Sequence, residues 1–360
     1  MALQPDIGQI RCCALAGAPE RGSMRLRYRI RSPPGNAIVQ LADIVFDMSP
    51  MDDIKRAERR LSLHDLRILS AVAQAGSMGR AAKLLATSQP AISRSIAELE
   101  HALGVRLLDR TAQGIEPTLF GRALLKRSSA IFDELSQGVR ELKFLSDRTI
   151  GNLSIGASIA IAEGFVSSVI SDLYSRYPRL TFEVLATDTA TAYRALLDRK
   201  VDLVVVHVIE PLAEKSMHVE PLLSDPHVVV AGAQNPLARR RGLKLSNLLS
   251  EPWVLPIPEA PYGSVVSEAF GTSGLRVPTT IVHSTLPART TLLTTGRFLS
   301  MVPRIVMQFP PKSRLLRTLP IDLPSTARPL ALITLKNRTL SPIAQLFCDC
   351  MREAAKRLKR

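Results

Sequence analysis

The residues with the most chemical content per position lie in one short run, Ser88-Gln89-Pro90-Ala91-Ile92-Ser93-Arg94. A guanidinium pairs with a guanine edge or a phosphate, a carboxamide with an adenine edge, and a hydroxyl with either. Arg94 and Gln89 are therefore base-edge candidates, and Ser88 and Ser93 candidates for phosphate or base contact. Ser88 also suits the cap of a helix. Pro90 suits its first turn, where a missing N–H costs nothing. A helix start of this kind favours bound anions, phosphates included.

Such groups act only if a helix presents them. At 100° per residue, Ile92, Ile96, Leu99 and Leu103 form one apolar stripe. Pro90, Arg94, Ala97 and His101 lie opposite, with Ser93 on the flank. The pattern is a helix with a buried back and a small, polar, basic front, ending at Gly104. Periodicity alone fits the solvated face of an ordinary three-helix bundle equally well.

Two helices precede it, one from about Leu63 to Ala75, stopped by Gly76, and one from Met78 to Leu85 behind a Ser77 cap. Val105 to Pro117 is strand-like around Gln113-Gly114, a hairpin signal that makes a wing. Thr118 then caps a long helix to about Leu145. Leu124, Ile131 and Leu145 fall in one heptad register, Leu135 and Leu142 in another. An apolar seam with no partner helix nearby points to pairing with a second copy; packing on its own domain is the alternative.

From Gly151 the pattern changes to alternating strands and helices, an α/β arrangement. Val201 to Val206 is a nearly continuous apolar run, as in a parallel strand covered on both faces. Ligands in open α/β sheets sit at the carboxyl ends of strands. That rule selects Ser158 and Ile159 after the first strand, Thr187 and Thr189 after the second, and His207 after the third. Tyr262, Ser264 and Ser284 approach from a second set of strands and helices. The hydroxyls suit a small polar or carboxylated metabolite. Ser158 and Thr189 serve equally well as helix caps, and His207 as a satisfied interior histidine.

Composition bounds the rest. The 360 residues suffice for two or three domains. The formal charge is +15, but residues 62–146 carry only 11 Lys/Arg against 8 Asp/Glu, so charge permits a polyanionic partner without locating it. Cys12-Cys13 and Cys348-x-Cys350 lack the spacing of a structural zinc site. Neither a metal nor another cofactor is expected. No phosphate loop, G-x-S-x-G elbow or GxGxxG fingerprint occurs, so no catalytic residues are assigned and no enzyme is expected. No apolar run reaches the ~18–20 residues of a membrane span. The expected setting is cytoplasmic, with reduced thiols. Residues 1–60 show no sustained period and read as an appended, mostly disordered segment. Met48 and Met51 just before the patterned region suggest a later start of translation.

The stretches Leu66–Ser77, Ala81–Glu100 and Leu103–Arg110, with Pro117-Thr118 and Gly121, resemble the DNA-binding half of LysR-type transcriptional regulators. One departure is Leu108, where the family usually has Phe. The resemblance covers about residues 62–146 closely and 151–340 by pattern. It implies a winged helix-turn-helix over 61–118 and a linker helix over 119–148. It further implies a periplasmic-binding-protein-like effector domain of two α/β subdomains over 149–340, then a C-terminal helix over 341–360. The family's DNA contacts fall on Gln89, Pro90, Ser93 and Arg94, with Arg110 near the wing; a salt bridge within the wing is the other reading of Arg110. The implied partners are duplex DNA carrying an imperfect inverted repeat, a small-molecule effector, RNA polymerase, and further copies of the chain as a homodimer or homotetramer.

Overall fold

The computed structural model describes residues 23–25, 45–47, 59–111, 114–210, 215–279, 281–310 and 312–358. The expectation for residues 1–60 lies almost wholly outside them. Within that stretch, Ser23–Arg25 (β1) and Val45–Asp47 (β2) pair antiparallel. The chain divides into two compact units between Ser128 and Ser129.

In the first unit, α1 (Leu63–Ala75) opens with a capping box. Asp65 N–H donates to Ser62 Oγ, and the Asp65 carboxylate accepts from Ser62 N–H. It ends at Gly76, whose φ of 64° is left-handed and so favours glycine. Helix α2 (Met78–Leu84) starts at the Ser77 cap, and α3 (Gln89–Leu103) at the Ser88 cap. The wing strands β3 (Leu108–Thr111) and β4 (Gly114–Pro117) pair antiparallel. Ile68, Leu69, Val72, Ile92, Ile96, Leu99 and Leu107 make the core, and Leu103 and Leu108 pack at its margin. Leu108, the departure from the family pattern, thus still joins the core from the first wing strand.

Helix α4 (Leu119–Ser146) runs from the first unit into the second. Thr118 caps it as expected, accepting from Gly121 N–H at 3.0 Å. A Cβ at Gly121 would lie 2.0 Å from the Leu107 carbonyl oxygen, so this position tolerates no side chain without moving backbone. Leu124 packs with the first unit's core rather than joining an exposed seam. Ile131, Leu135, Val139, Leu142 and Leu145 are exposed.

The second unit holds two five-stranded mixed sheets. In the first, β5 (Gly151–Ser158) lies parallel to β6 (Leu180–Thr187) and β7 (Leu203–His207). A late strand, β14 (Arg328–Leu335), runs antiparallel between β7 and β8 (Met217–Asp225). In the second, β10 (Trp253–Leu255) is parallel to β11 (Ile281–His283) and β12 (Leu299–Pro303). There β9 (His227–Gly232) runs antiparallel between β12 and β13 (Leu316–Thr318). The chain crosses between sheets at Pro226, from β8 to β9, and again between β13 and β14. The chain thus passes twice between two subdomains, one built on each sheet. Strands β8, β10 and β13 carry no sequence signal as strong as the Val201–Val206 run.

The helices cover these sheets. Ile159–Ile161 (α5), a π-helical turn (Ala162–Val166) and α6 (Ser167–Arg176) follow β5. Helix α7 (Thr189–Leu197) follows β6. Helix α8 (Pro261–Thr272) follows β10, and α9 (Leu286–Thr294) follows β11. Short α10 (Lys312–Leu315) precedes β13, and α11 (Pro342–Leu358) closes the chain.

Candidate functional site

The front of α3 is what its periodicity predicts. Ser88, Gln89, Pro90, Ser93 and Arg94 are all exposed, whereas Ile92, Ile96 and Leu99 are buried. Ser88 Oγ accepts from Ala91 N–H, which satisfies one of the orphan donors of the first turn. Glu100 Oε1 accepts from the N–H groups of Leu107 and Leu108, at 2.7 and 3.1 Å, and so fixes the base of the wing to α3. Asp65 accepts from Ser95 at 2.8 Å and holds α3 against α1. Arg94 and Arg110 are exposed, and neither has a carboxylate within ion-pair distance among the described residues. The alternative of an internal wing salt bridge for Arg110 therefore finds no partner there.

The second half of α4 is anchored by charge. Arg338, which follows β14, holds the Asp133 carboxylate with two bonds of 2.8 and 2.7 Å and bonds Asp202 at 2.7 Å. Arg199 reaches Asp133 at 2.6 Å, and Asp202 accepts from Ser154 N–H at 2.9 Å. Arg140 completes the cluster at 3.8 Å from Asp133 and 3.9 Å from Asp202. Asp133, Gln137 and Arg140 share one face of α4 at i, i+4 and i+7; the apolar residues from Ile131 to Leu145 occupy another. The helix therefore packs on its own unit through the charged face and leaves the apolar face exposed. The cluster was invisible beforehand because its members are up to 205 residues apart.

Between the two subdomains lies a cavity of about 210 Å³ at the carboxyl ends of β5, β6, β10, β11 and β12. Ser158, Ile159, Thr187, Thr189, Tyr262 and Ser284 line it. His207 does not. It is fully buried behind the wall, with Nε2 2.9 Å from Asp225 Oδ2 and Nδ1 2.9 Å from the Tyr262 hydroxyl. That matches the interior-histidine alternative. Ser264 also stays outside the lining, because it is exposed and its hydroxyl donates to the Pro261 carbonyl within the first turn of α8. Ser158 makes no capping bond, and Thr189 follows the actual cap, Asp188, which accepts from Thr191 N–H at 2.9 Å. Capping therefore accounts for neither residue.

Two lining residues with ionisable side chains, His227 and Arg289, escaped the sequence reading, and Asp188 lies between the selected Thr187 and Thr189. His227 begins a strand and Arg289 lies in the middle of a helix, so neither sits at a loop position that the strand-end rule selects. Both are buried, and both His227 ring nitrogens and Arg289 Nε lack hydrogen-bond partners. Ser158 Oγ lies beside the Tyr262 hydroxyl without a complete hydrogen bond. Burial above all, helped by the Arg289 charge, pulls the His227 imidazole down to about 3, so it is neutral. Burial also pulls the Arg289 guanidinium down to about 10, which leaves it charged at neutral pH. Burial pushes the Tyr262 phenol up. A larger open groove, about 600 Å³ along Val228, Arg304 and Leu316 to Asp322, contains none of these orphaned buried atoms.

A winged helix-turn-helix followed by a long helix and a two-lobed, cleft-bearing α/β domain defines a ligand-sensing transcriptional regulator. The chain matches the bacterial regulatory helix-turn-helix protein model of the lysR family over residues 63–122, and the LysR substrate binding domain over 146–356. It belongs to the LysR family and is a transcriptional regulator with an effector-binding domain, not an enzyme. It is 25% identical to the HTH-type transcriptional regulator TdcA of Escherichia coli K12, covering 80% of this chain and 91% of that protein. It is 31% identical to a probable RuBisCO transcriptional regulator of Thalassiosira pseudonana, over 51% of this chain and 61% of that one. Among solved structures, a full-length OxyR variant of Pseudomonas aeruginosa has a TM-score of 0.57 at 22% identity, covering 82% of this chain and 95% of that one. CbnR in complex with its target DNA has a TM-score of 0.57 at 21% identity, covering 82% of this chain and all of that one (100%).

Proposed function

We propose that this regulator reads duplex DNA with the front of α3, as an oligomer paired through α4, and that a small metabolite in the cleft controls it. The observation that carries the reading is the division of α3 into a buried back and an exposed front whose Arg94 has no carboxylate partner among the described residues. Gln89, Pro90, Ser93 and Arg94 enter the major groove, Ser88 orients the helix start, and Arg110 reaches the backbone beside the wing. The solved complex of CbnR with its target DNA supports this use of the fold.

The exposed seam from Ile131 to Leu145 pairs two chains as a homodimer, or as half of a homotetramer. Two α3 helices then address an imperfect inverted repeat. The effector, a polar or carboxylated metabolite, is held by Ser158, Ile159, Thr187, Thr189, Tyr262 and Ser284. Ligand closure of the cleft shifts the packing of subunits and thereby contact with RNA polymerase. The chain requires no cofactor and acts in the cytoplasm. Among the described residues no helix is long and apolar enough to cross a membrane.

Footprinting of the full chain on the DNA beside its own gene, with and without a ligand that raises its Tm, tests the reading. Protection of two half-sites that changes in extent with ligand is expected. Identical protection in both states would remove the switch.

A further inference from the structure

Arg289 is a buried cation facing the cleft, 6% exposed. Its Nη1 donates to Ser300 Oγ at 3.2 Å and to the Met301 carbonyl at 3.1 Å, and Nε has no partner. Among the described residues no carboxylate lies within 4 Å of it. Burying a charge without a counter-charge is costly, and an arriving anion relieves that cost. His227, 2% exposed, also lines the cleft, and its two ring nitrogens, one a donor and one an acceptor, are likewise unpartnered.

The rest of the lining points to the ligand's other end. Ile159, Ile257, Leu286, Met301 and Pro303 are apolar. The lining carboxylate is Asp188, exposed and ionised, its pKa lowered by the hydrogen bond from Thr191. A second negative group on the ligand would meet the apolar wall, neutral hydroxyls or Asp188; among the lining residues Arg289 is the one Lys or Arg.

We propose that the cleft binds a monocarboxylate with an apolar body, its carboxylate seated on Arg289 and its hydrocarbon against the Ile159, Leu286 and Met301 wall. This rests on reading the cleft as the effector site and narrows the broader polar or carboxylated class. Arg289 is the specificity-determining residue, because it prefers a charged carboxylate over a neutral carboxamide of the same shape.

The test uses the full-length chain and defined probes: 4-methylpentanoate and cyclohexanecarboxylate, their carboxamides, and the dianion isobutylsuccinate. Dissociation constants come from calorimetry and thermal shift. The two monoacids should bind at least about tenfold tighter than their amides, and 4-methylpentanoate tighter than isobutylsuccinate. Arg289→Gln should bring acid and amide within about threefold of each other. Its unfolding curve and DNA affinity without probe show whether it folds, and the acid–amide comparison on the unaltered protein needs no variant. Amides binding as tightly as acids overturns the anion assignment while leaving the cleft as an effector site. Arg289→Gln retaining the preference for acid overturns the role of Arg289. No binding by any probe, with DNA affinity unmoved by all five, overturns this inference; a later metabolite of another charge class that shifts DNA affinity would keep the effector reading standing.

Discussion

The Nδ1 atom of His207 lies 2.9 Å from the hydroxyl of Tyr262, and the two residues come from opposite subdomains. His207 ends β7; Tyr262 opens α8 and lines the cleft. Asp225, at the strand crossing, holds Nε2 at 2.9 Å and also accepts from Ile305 N–H at 3.0 Å. A carboxylate on Nε2 places the proton there, so Nδ1 accepts and Tyr262 donates. Tyr262→Phe removes that donor and leaves a fully buried nitrogen unpaired. A loss of about 1–3 kcal/mol is expected. In a domain of this size each kcal/mol is roughly 2–4 °C in Tm. A Tm unchanged by Tyr262→Phe would show that this bond does not tie the subdomains.

The cluster around Asp133 makes a larger demand. Arg338→Ala takes the shared guanidinium from the buried Asp202 carboxylate and from partly buried Asp133, which keeps its bond to Arg199. Breaking one side of a buried ion pair costs about 3–5 kcal/mol. Denaturant unfolding of the variant should show a midpoint lowered to match. A surface-like loss, below about 1 kcal/mol, would mean that the cluster does not anchor the second half of α4.

His227 makes stability pH-dependent. Its folded pKa of about 3 lies below the ordinary value of 6.5, so the unfolded chain binds its proton first as pH falls. Stability from this group is full above about pH 6.5 and is lost as pH drops toward 3. The loss at pH 5 is about 2 kcal/mol. His227→Gln should flatten the fall in Tm between pH 7 and pH 5. Parallel Tm curves for the two proteins would contradict the assignment.

The seam on α4 predicts an oligomer interface. Leu135 and Leu142 are 49% and 67% exposed. Replacing both with Lys should convert the dominant species to monomer by light scattering and weaken DNA binding, because two half-sites are no longer held together. An unchanged mass would place the interface elsewhere.

Much of this was legible in the sequence, for reasons that differ by region. The caps at Ser77 and Ser88, the stop at Gly76, and the Ile92/Ile96/Leu99 stripe are local signals, and the three helices follow from them; the Ser62 cap emerges only in the structure. The cleft contacts at Ser158, Thr187, Thr189 and Ser284 follow from strand ends. Strands β8, β10 and β13 were missed because short or edge strands carry weak periodicity. Arg289 and His227 were missed because only the fold shows that their neighbours supply no counter-charge. His207 looked like a ligand contact because it ends a strand, and Asp225 is what draws it behind the wall instead.

The central claim is that α3 reads base sequence through Arg94. The direct measurement is selection of bound duplexes from a random pool, followed by affinity on the selected site, for the wild-type chain and Arg94→Ala. The wild type should enrich an imperfect inverted repeat with half-sites about one helical turn apart. Arg94→Ala should bind that site about 1–3 kcal/mol more weakly and relax preference at one base position in each half-site. Enrichment of the same motif by both proteins with equal affinity would contradict the account.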